Sequence, residues 1–252
     1  MARKPTISPT KISIYLACPV RYRWTYIDDR GRWYMRAKSC YSFGTTLHKV
    51  LERFHDEGDV GVSTVGQVVS AYEESWIDAG FRSADEMAEA FGEGLQILER
   101  HVQESYEKPS GAKTLFVEKQ LKEDMGPFFL AGRLDRVDEY EDGTIEVVDY
   151  KSGRETVCEE ELKTDIAMSV YQLLLKKKYP DRPVRSRIIA LRSGDSAVWQ
   201  MEPAEMELFE NAVRQIGNEI LGEDYYERTP VMKALCNGCD FLPLCRKDPS
   251  FD

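Results

Sequence analysis

Cysteine, histidine and long apolar runs are all scarce in this chain. Six cysteines and three histidines stand among 252 residues. Six cysteines are too few for a disulfide-built scaffold, and a chain of this length buries a full core without them. No stretch approaches eighteen consecutive apolar residues, so a membrane-spanning helix is not expected. Positive charge is also in deficit. Against 44 Asp and Glu stand 34 Lys and Arg, a net charge of −10, which excludes a uniformly basic nucleic-acid coat but not a local basic patch. No apolar h-region follows residues 1–5, so a secretory signal is not expected and a cytoplasmic setting is. What remains is a globular composition, 42% hydrophobic and 31% charged, incompatible with wholesale disorder.

The apolar pattern organises the chain. Ser8 and Pro9 read as an N-cap and a first helical position, Ile12, Tyr15 and Leu16 give the helix an apolar face, and Pro19 is expected to close it. A polar-aromatic stretch follows at 21–38. The next helix begins near Ser42 and carries Phe43, Leu47, Val50, Leu51 and Phe54 at helical spacing. Residues 56–112 read as a helical segment of their own, with Ser83 and Glu86 spaced as a capping box. The pattern then turns to consecutive antiparallel strands at 115–123, 128–140 and 145–150, one long helix over 159–178, strands at 184–191 and 197–201, and a last helix over 204–221. This order predicts an α/β core with helical elaborations.

The segment 132–153 concentrates charged residues in a hairpin. Loop length decides where they point. A two-residue loop at Asp142 and Gly143 pairs residues whose numbers sum to 285 and sends Asp135 and Asp149 to opposite faces. A three-residue loop, Glu141 to Gly143, makes the sum 284 and sets Asp135 across from Asp149, with Lys151 on the same face. Glycine at the third loop position suits the bulged turn with a left-handed residue, so the three-residue loop is expected. Two carboxylates at such spacing repel unless a cation lies between them, and aspartate oxygens suit Mg²⁺ or Mn²⁺. A solvated surface hairpin is the competing reading; Val147 and Val148 before Asp149 favour a half-buried strand.

These residues carry a resemblance. Gly132, Asp135, Arg136 and Asp138, followed by Val147, Val148, Asp149, Tyr150, Lys151, Ser152 and Gly153, resemble the paired strand motifs of the RecB-like branch of the PD-(D/E)XK nuclease superfamily. The residue before Asp135 is Leu134 rather than the proline of the superfamily name, as is usual in that branch. The resemblance implies a restriction-endonuclease-like core, a mixed sheet flanked by helices. It implies that Asp135, Asp149 and Lys151 are catalytic, and that His48, Asp135, Asp149 and the Tyr150 carbonyl hold one or two Mg²⁺ or Mn²⁺ ions. His48 lies in a segment, 43–52, similar to the family's histidine-bearing helix. Glu118 matches a strand position often acidic in the family, although a salt bridge to Arg133 or Arg136 explains it equally well. Tyr171 matches a tyrosine on the helix after the lysine, but Ala167 stands where relatives carry glutamine.

Cys236, Cys239 and Cys245 cluster within ten residues, which in a chain without a secretory signal points to metal before disulfide. With Cys18 they resemble the one-plus-three cysteine set that holds a 4Fe–4S cluster in the AddB nuclease domain and in CRISPR-associated RecB-like nucleases. The resemblance implies an iron–sulfur staple joining the N- and C-terminal segments. Zinc is the alternative for four thiolates. Cys40 and Cys158 have no part in this scheme. The implied organisation is a single RecB-like domain over 1–252, a helical insertion at 56–112, and a cluster region formed by 1–40 and 222–252.

Charge is segregated. Residues 18–38 carry a net +4 interleaved with aromatics, a composition suited to phosphate contact and base stacking, and Arg21, Arg23, Trp24, Arg32 and Trp33 are the candidate DNA contacts. Residues 176–192 carry a net +6, read either as a DNA contact or as Lys176, Lys177 and Lys178 complementing a helix dipole. The expected function is a metal-dependent DNA nuclease, a single-strand exonuclease in repair, recombination or phage DNA processing, with DNA and a helicase or similar protein as partners. A CRISPR-associated spacer-processing nuclease and a catalytically inactive DNA-end-binding module are the alternatives.

Overall fold

The computed structural model of the chain describes residues 4–56, 64–153, 155–223 and 228–251. Residues 57–63 of the expected insertion, and 1–3, 224–227 and 252 of the expected cluster region, lie outside the described residues. In chain order the elements are β1 (Thr6–Ile7), α1 (Pro9–Ala17), α2 (Pro19–Tyr26), α3 (Ser39–His55), α4 (Val65–Ser75), α5 (Ala84–Glu107), β2 (Lys113–Asp124), β3 (Phe129–Glu139), β4 (Ile145–Lys151), α6 (Glu159–Thr164), α7 (Ile166–Lys178), β5 (Val184–Ala190), β6 (Ser196–Trp199), α8 (Pro203–Leu221) and α9 (Leu242–Cys245). No helix among the described residues is long and apolar enough to cross a membrane.

The chain divides into two compact units. One comprises Met1–Arg36, Asp124–Ala131 and Glu207–Asp252; the other comprises Ala37–Glu123 and Gly132–Met206. Residues 37–40 of the expected cluster region thus belong with the second unit, as does the segment 56–112.

In the first unit α1 closes at Ala17, just before Pro19 as expected, and the same proline then opens a further helix, α2. Cys18 is extended (φ −164°, ψ 105°) and caps both helices, its sulfur accepting from the Arg21 amide at 3.4 Å. Proline is tolerated there because the first helical N–H has no partner to lose. Val20, Trp24 and Phe241 form a small buried core, with Cys18, Cys239 and Cys245 packed against it. β1, too short to read from sequence, pairs in parallel with Phe129 and Leu130.

In the second unit α3, α4 and α5 bury a shared apolar face. Phe43, Leu47, Leu51, Tyr72 and Leu98 pack there with Val148 and Tyr150 of β4. The capping box at α5 is half made. Ser83 accepts from the Glu86 amide at 3.1 Å, but the Glu86 carboxylate turns to the Arg82 amide and the Ser39 hydroxyl instead. β3 and β4 are antiparallel, β4 and β5 parallel, β5 and β6 antiparallel, and β2 pairs with β3. The result is a mixed sheet flanked by helices. The single helix expected over 159–178 is two helices. Asp165 is extended (φ −80°, ψ 110°), and its carboxylate accepts from the amides of Ala167 (2.8 Å) and Met168 (3.4 Å). An aspartate that can satisfy two orphan donors starts a helix better than it continues one.

Candidate active site

The β3–β4 hairpin sets the site. Gly143 has φ +89°, its amide donates to the Tyr140 carbonyl at 3.0 Å, and Asp142 accepts from the Thr144 amide at 2.9 Å. The three-residue loop therefore forms, and the pairs Arg136↔Val148 and Asp138↔Glu146 give the register that sums to 284. Alternation along the strands sends Asp135, Asp149 and Lys151 to one face and Arg136, Glu146 and Tyr150 to the other. One step beyond the last pair, main-chain bonding gives way to a side chain: the Tyr150 amide donates to Asp135 Oδ2 at 3.0 Å.

His48 reaches this point from α3. The buried stripe of Phe43, Leu47, Val50 and Leu51 turns the helix so that His48 lies beside the core rather than in it. Its Nε2 donates to the Tyr150 carbonyl at 3.0 Å, and its Nδ1 lies 3.4 Å from Asp135 Oδ2 and 3.7 Å from Glu118 Oε1. Burial alone would lower its pKa. Hydrogen bonding to Asp135 and Glu118, and the charges of Asp135 and Asp149, outweigh burial and push it up to about 10. His48 is thus the counter-charge of the carboxylates around it. Glu118 carries a strained backbone, φ +44° within β2, and is also paired with Arg133. Glu118 thus pairs with Arg133 and also faces His48.

Among the described residues, the ligating atoms that converge within 4.8 Å are those of His48, Glu118 and Asp135. Two carboxylates and an imidazole, with the Tyr150 carbonyl on the same histidine, are a donor set suited to Mg²⁺ or Mn²⁺. The sequence-derived set placed Asp149 with the ligands and Glu118 in support; the structure brings Glu118 to the group and holds Asp149 on Lys151. Lys151 Nζ is 2.7 Å from Asp149 Oδ2 and 3.9 Å from Asp165 Oδ2. Burial, and then the charge of Asp135, raise the Asp149 carboxyl to about 6 against the pull of Lys151 and His48. Burial would lower the Lys151 pKa, but Asp149 and Asp165 more than compensate and raise it. Asp165 lies within the continuous helix expected over 159–178, which hides its place beside Lys151. Its signal is the preference of aspartate for helix starts. Tyr171 is buried on α7, and burial followed by the surrounding carboxylates raises its hydroxyl pKa. A Cβ on Gly132 would lie 2.8 Å from the Tyr171 ring.

In the first unit, Cys18, Cys236, Cys239 and Cys245 line one small cavity. Burial, then the other three cysteines, push the Cys245 thiol up to about 11. Cys40 and Cys158 are exposed. The candidate DNA contacts separate. Trp24 is buried at 8% exposure in the small core, with Arg23 and Arg30 over its ring, so it is removed from any stacking surface. Trp33 is 78% exposed with Arg32 over it at 5.2 Å. Arg21 contributes its amide to Cys18.

A family model described as the PD-(D/E)XK nuclease superfamily matches residues 6–246. The chain belongs to that superfamily. No curated protein matches it. Among solved structures, a Eubacterium rectale protein named "Putative exonuclease" has a similar fold, with TM-score 0.55 and 14% identity over 99% of this chain and 90% of its own. The structure of SSO0001 covers 98% of this chain and 88% of its own at 10% identity, with TM-score 0.42. The hairpin, His48 and Lys151 thus lie in a chain of nuclease-superfamily fold.

Proposed function

We propose that this PD-(D/E)XK superfamily member is a metal-dependent DNA nuclease of the RecB-like branch, acting on single strands from an end. The observation that carries the reading is the convergence of His48, Glu118 and Asp135 beside the buried Asp149–Lys151 pair. His48, Glu118, Asp135 and the Tyr150 carbonyl would hold Mg²⁺ or Mn²⁺, with Asp149 joining on release from Lys151. The cation supplies Lewis-acid activation of water and charge neutralisation at the phosphate. The chain's own residues do the rest. Asp135 is held by the Tyr150 amide, so its carboxylate is oriented before substrate arrives. Lys151, kept charged by Asp149 and Asp165, stabilises negative charge that builds on the phosphorane. The product would carry a 5′-phosphate.

The four cysteines would hold a 4Fe–4S cluster. One cysteine distant in the chain and three close together line a single small cavity of the first unit, the arrangement that the family resemblance implies for the cluster, and zinc is the alternative. The cluster would be structural, and the DNA surface would include Trp33 and Arg32.

The deciding experiment is digestion of end-labelled single-stranded DNA by anaerobically purified protein with Mg²⁺, Mn²⁺ or EDTA, beside Lys151→Ala. Metal-dependent laddering that disappears in the variant is expected. Equal inertness of both proteins with the cysteine site loaded would leave a DNA-end-binding role.

A further inference from the structure

The sheet has a second polar face that the chemistry above does not use. On the side opposite Asp135 and Lys151, Arg136, Glu146, Arg185 and Arg187 line a cavity of about 950 Å³, larger than the 640 Å³ cavity beside His48. Its volume lies in the range of small-ligand sites, roughly 300–1,000 Å³. The parallel pairing of β4 with β5 sets Glu146 beside Arg185 and Val148 beside Arg187, which places both arginines over one carboxylate. Glu146 is 1% exposed. Its Oε2 is 2.6 Å from Arg185 Nε and its Oε1 2.9 Å from Arg187 Nε. One carboxylate balances one guanidinium, so a positive charge is left over in a half-buried wall.

The surplus is not corrected elsewhere around the cavity. Arg100 enters it and donates to the carbonyls of Leu191 and Arg192, which carry no net charge. Of the charged side chains lining the cavity, five are cationic and three acidic, in a chain whose net charge is −10. The wall also offers an aromatic surface: Tyr106, 59% exposed, packs by its edge on Phe54.

We propose that this cavity binds a phosphate-bearing small molecule, seated by its phosphate on Arg185 and Arg187, and that a nucleotide is the class it takes. Guanidinium groups meet phosphate oxygens in paired hydrogen bonds, and each is worth more in a half-buried wall than in water. Arg187 Nη1 also donates to the Ser196 hydroxyl at 3.1 Å, which places a further donor beside the seat. The Tyr106 ring supplies a surface on which a base stacks. The site uses none of the residues of the proposed nuclease centre, so it stands or falls apart from that activity.

The test is calorimetric titration of the full chain in EDTA with inorganic phosphate, deoxyadenosine monophosphate and deoxyadenosine. Saturable binding of the monophosphate is expected, with weaker binding of phosphate and none of the nucleoside. Arg187→Gln removes the surplus charge while leaving Glu146 on Arg185, and should weaken binding at least tenfold. Ser110→Glu, at an exposed rim position, should do the same without touching the buried pairs. Asp149→Asn should leave binding unchanged. Equal affinity for phosphate and nucleotide would keep the phosphate seat and overturn the nucleotide class. No saturable binding of either phosphate probe, or binding lost in Asp149→Asn and kept in Arg187→Gln, would overturn the whole proposal.

Discussion

Asp135 and Tyr150 are joined across the hairpin by a side chain where a main-chain bond is due, the Tyr150 amide donating to Asp135 Oδ2 at 3.0 Å. The carbonyl of the same Tyr150 meets His48 Nε2 at 3.0 Å, while its hydroxyl accepts from Arg136 Nη1 at 2.8 Å on the other face of the sheet. A single residue therefore registers a helix, a hairpin and a buried arginine against one another. Two ligand candidates are aligned by backbone groups, which cannot swing away as side chains do.

Lys151→Ala leaves the Asp149 carboxylate buried without its nearest cation. Its pKa should rise further, and metal-dependent cleavage should fall by about 10²-fold or more, the usual cost of removing a group that stabilises developing charge. Single-turnover rates on labelled DNA measure this. An undiminished rate would take Lys151 out of the reaction.

Glu118 separates strain from chemistry. At φ +44° glycine is the favoured residue, so Glu118→Gly should be more stable in EDTA than Glu118→Ala by about 1 kcal/mol. At an ordinary strand position the order is reversed. Both variants should lose at least tenfold in Mn²⁺ affinity. Thermal denaturation and Mn²⁺ titration read the two effects independently, and intact Mn²⁺ affinity would contradict a ligand role.

Gly132 and Tyr171 share one space. A methyl group at 132 would stand 2.8 Å from the Tyr171 ring, so Gly132→Ala should cost about 1–3 kcal/mol through displaced packing. Adding Tyr171→Leu should recover part of that loss. A double-mutant cycle showing simple additivity would mean the contact is relieved some other way.

Stability should depend on pH through His101. Burial first, then the charges of Arg136 and Arg100, lower its pKa from 6.5 to about 3, and His55 is lowered in the same direction. Between those values the unfolded chain binds a proton that the folded chain refuses. Stability is therefore lost as pH falls below 6.5 and continues to fall toward 3, by about 2 kcal/mol for His101 at pH 5, with His55 acting in the same direction. His101→Gln should flatten the slope of denaturation midpoint against pH over this window; an unchanged slope would place the titration elsewhere.

Replacing Cys239 by Ser should remove visible absorbance from anaerobically prepared protein and reduce its solubility. Bound zinc in a colourless wild type would instead identify the zinc alternative.

The hairpin was legible because its loop chemistry is local. Gly143 at the third loop position selects one register, and that register alone sends Asp135, Asp149 and Lys151 to a common face. The flanking strands and most helices were legible for the same reason: period and caps act over a few residues. Errors fell where a local signal was ambiguous. Pro19 follows the end of α1 as expected but also begins α2, and the cap that Cys18 gives both helices is what the proline alone does not reveal. Asp165 sits in an apolar-periodic run yet satisfies two amides and breaks it. Trp24 has the composition of a stacking surface but is buried against Val20 and Phe241, contacts no local pattern reports.

What the sequence determined by itself is most of the order of elements, the hairpin register and the residue types able to bind a divalent cation. Tertiary structure decided which of them meet. His48 touches the Tyr150 carbonyl across 102 residues of chain, Glu118 turns toward both His48 and Arg133, and Asp149 is taken by Lys151. Ligation and charge pairing act over a few ångströms. Distance along a chain says nothing about such proximity until the packing of α3 on β4 has set it.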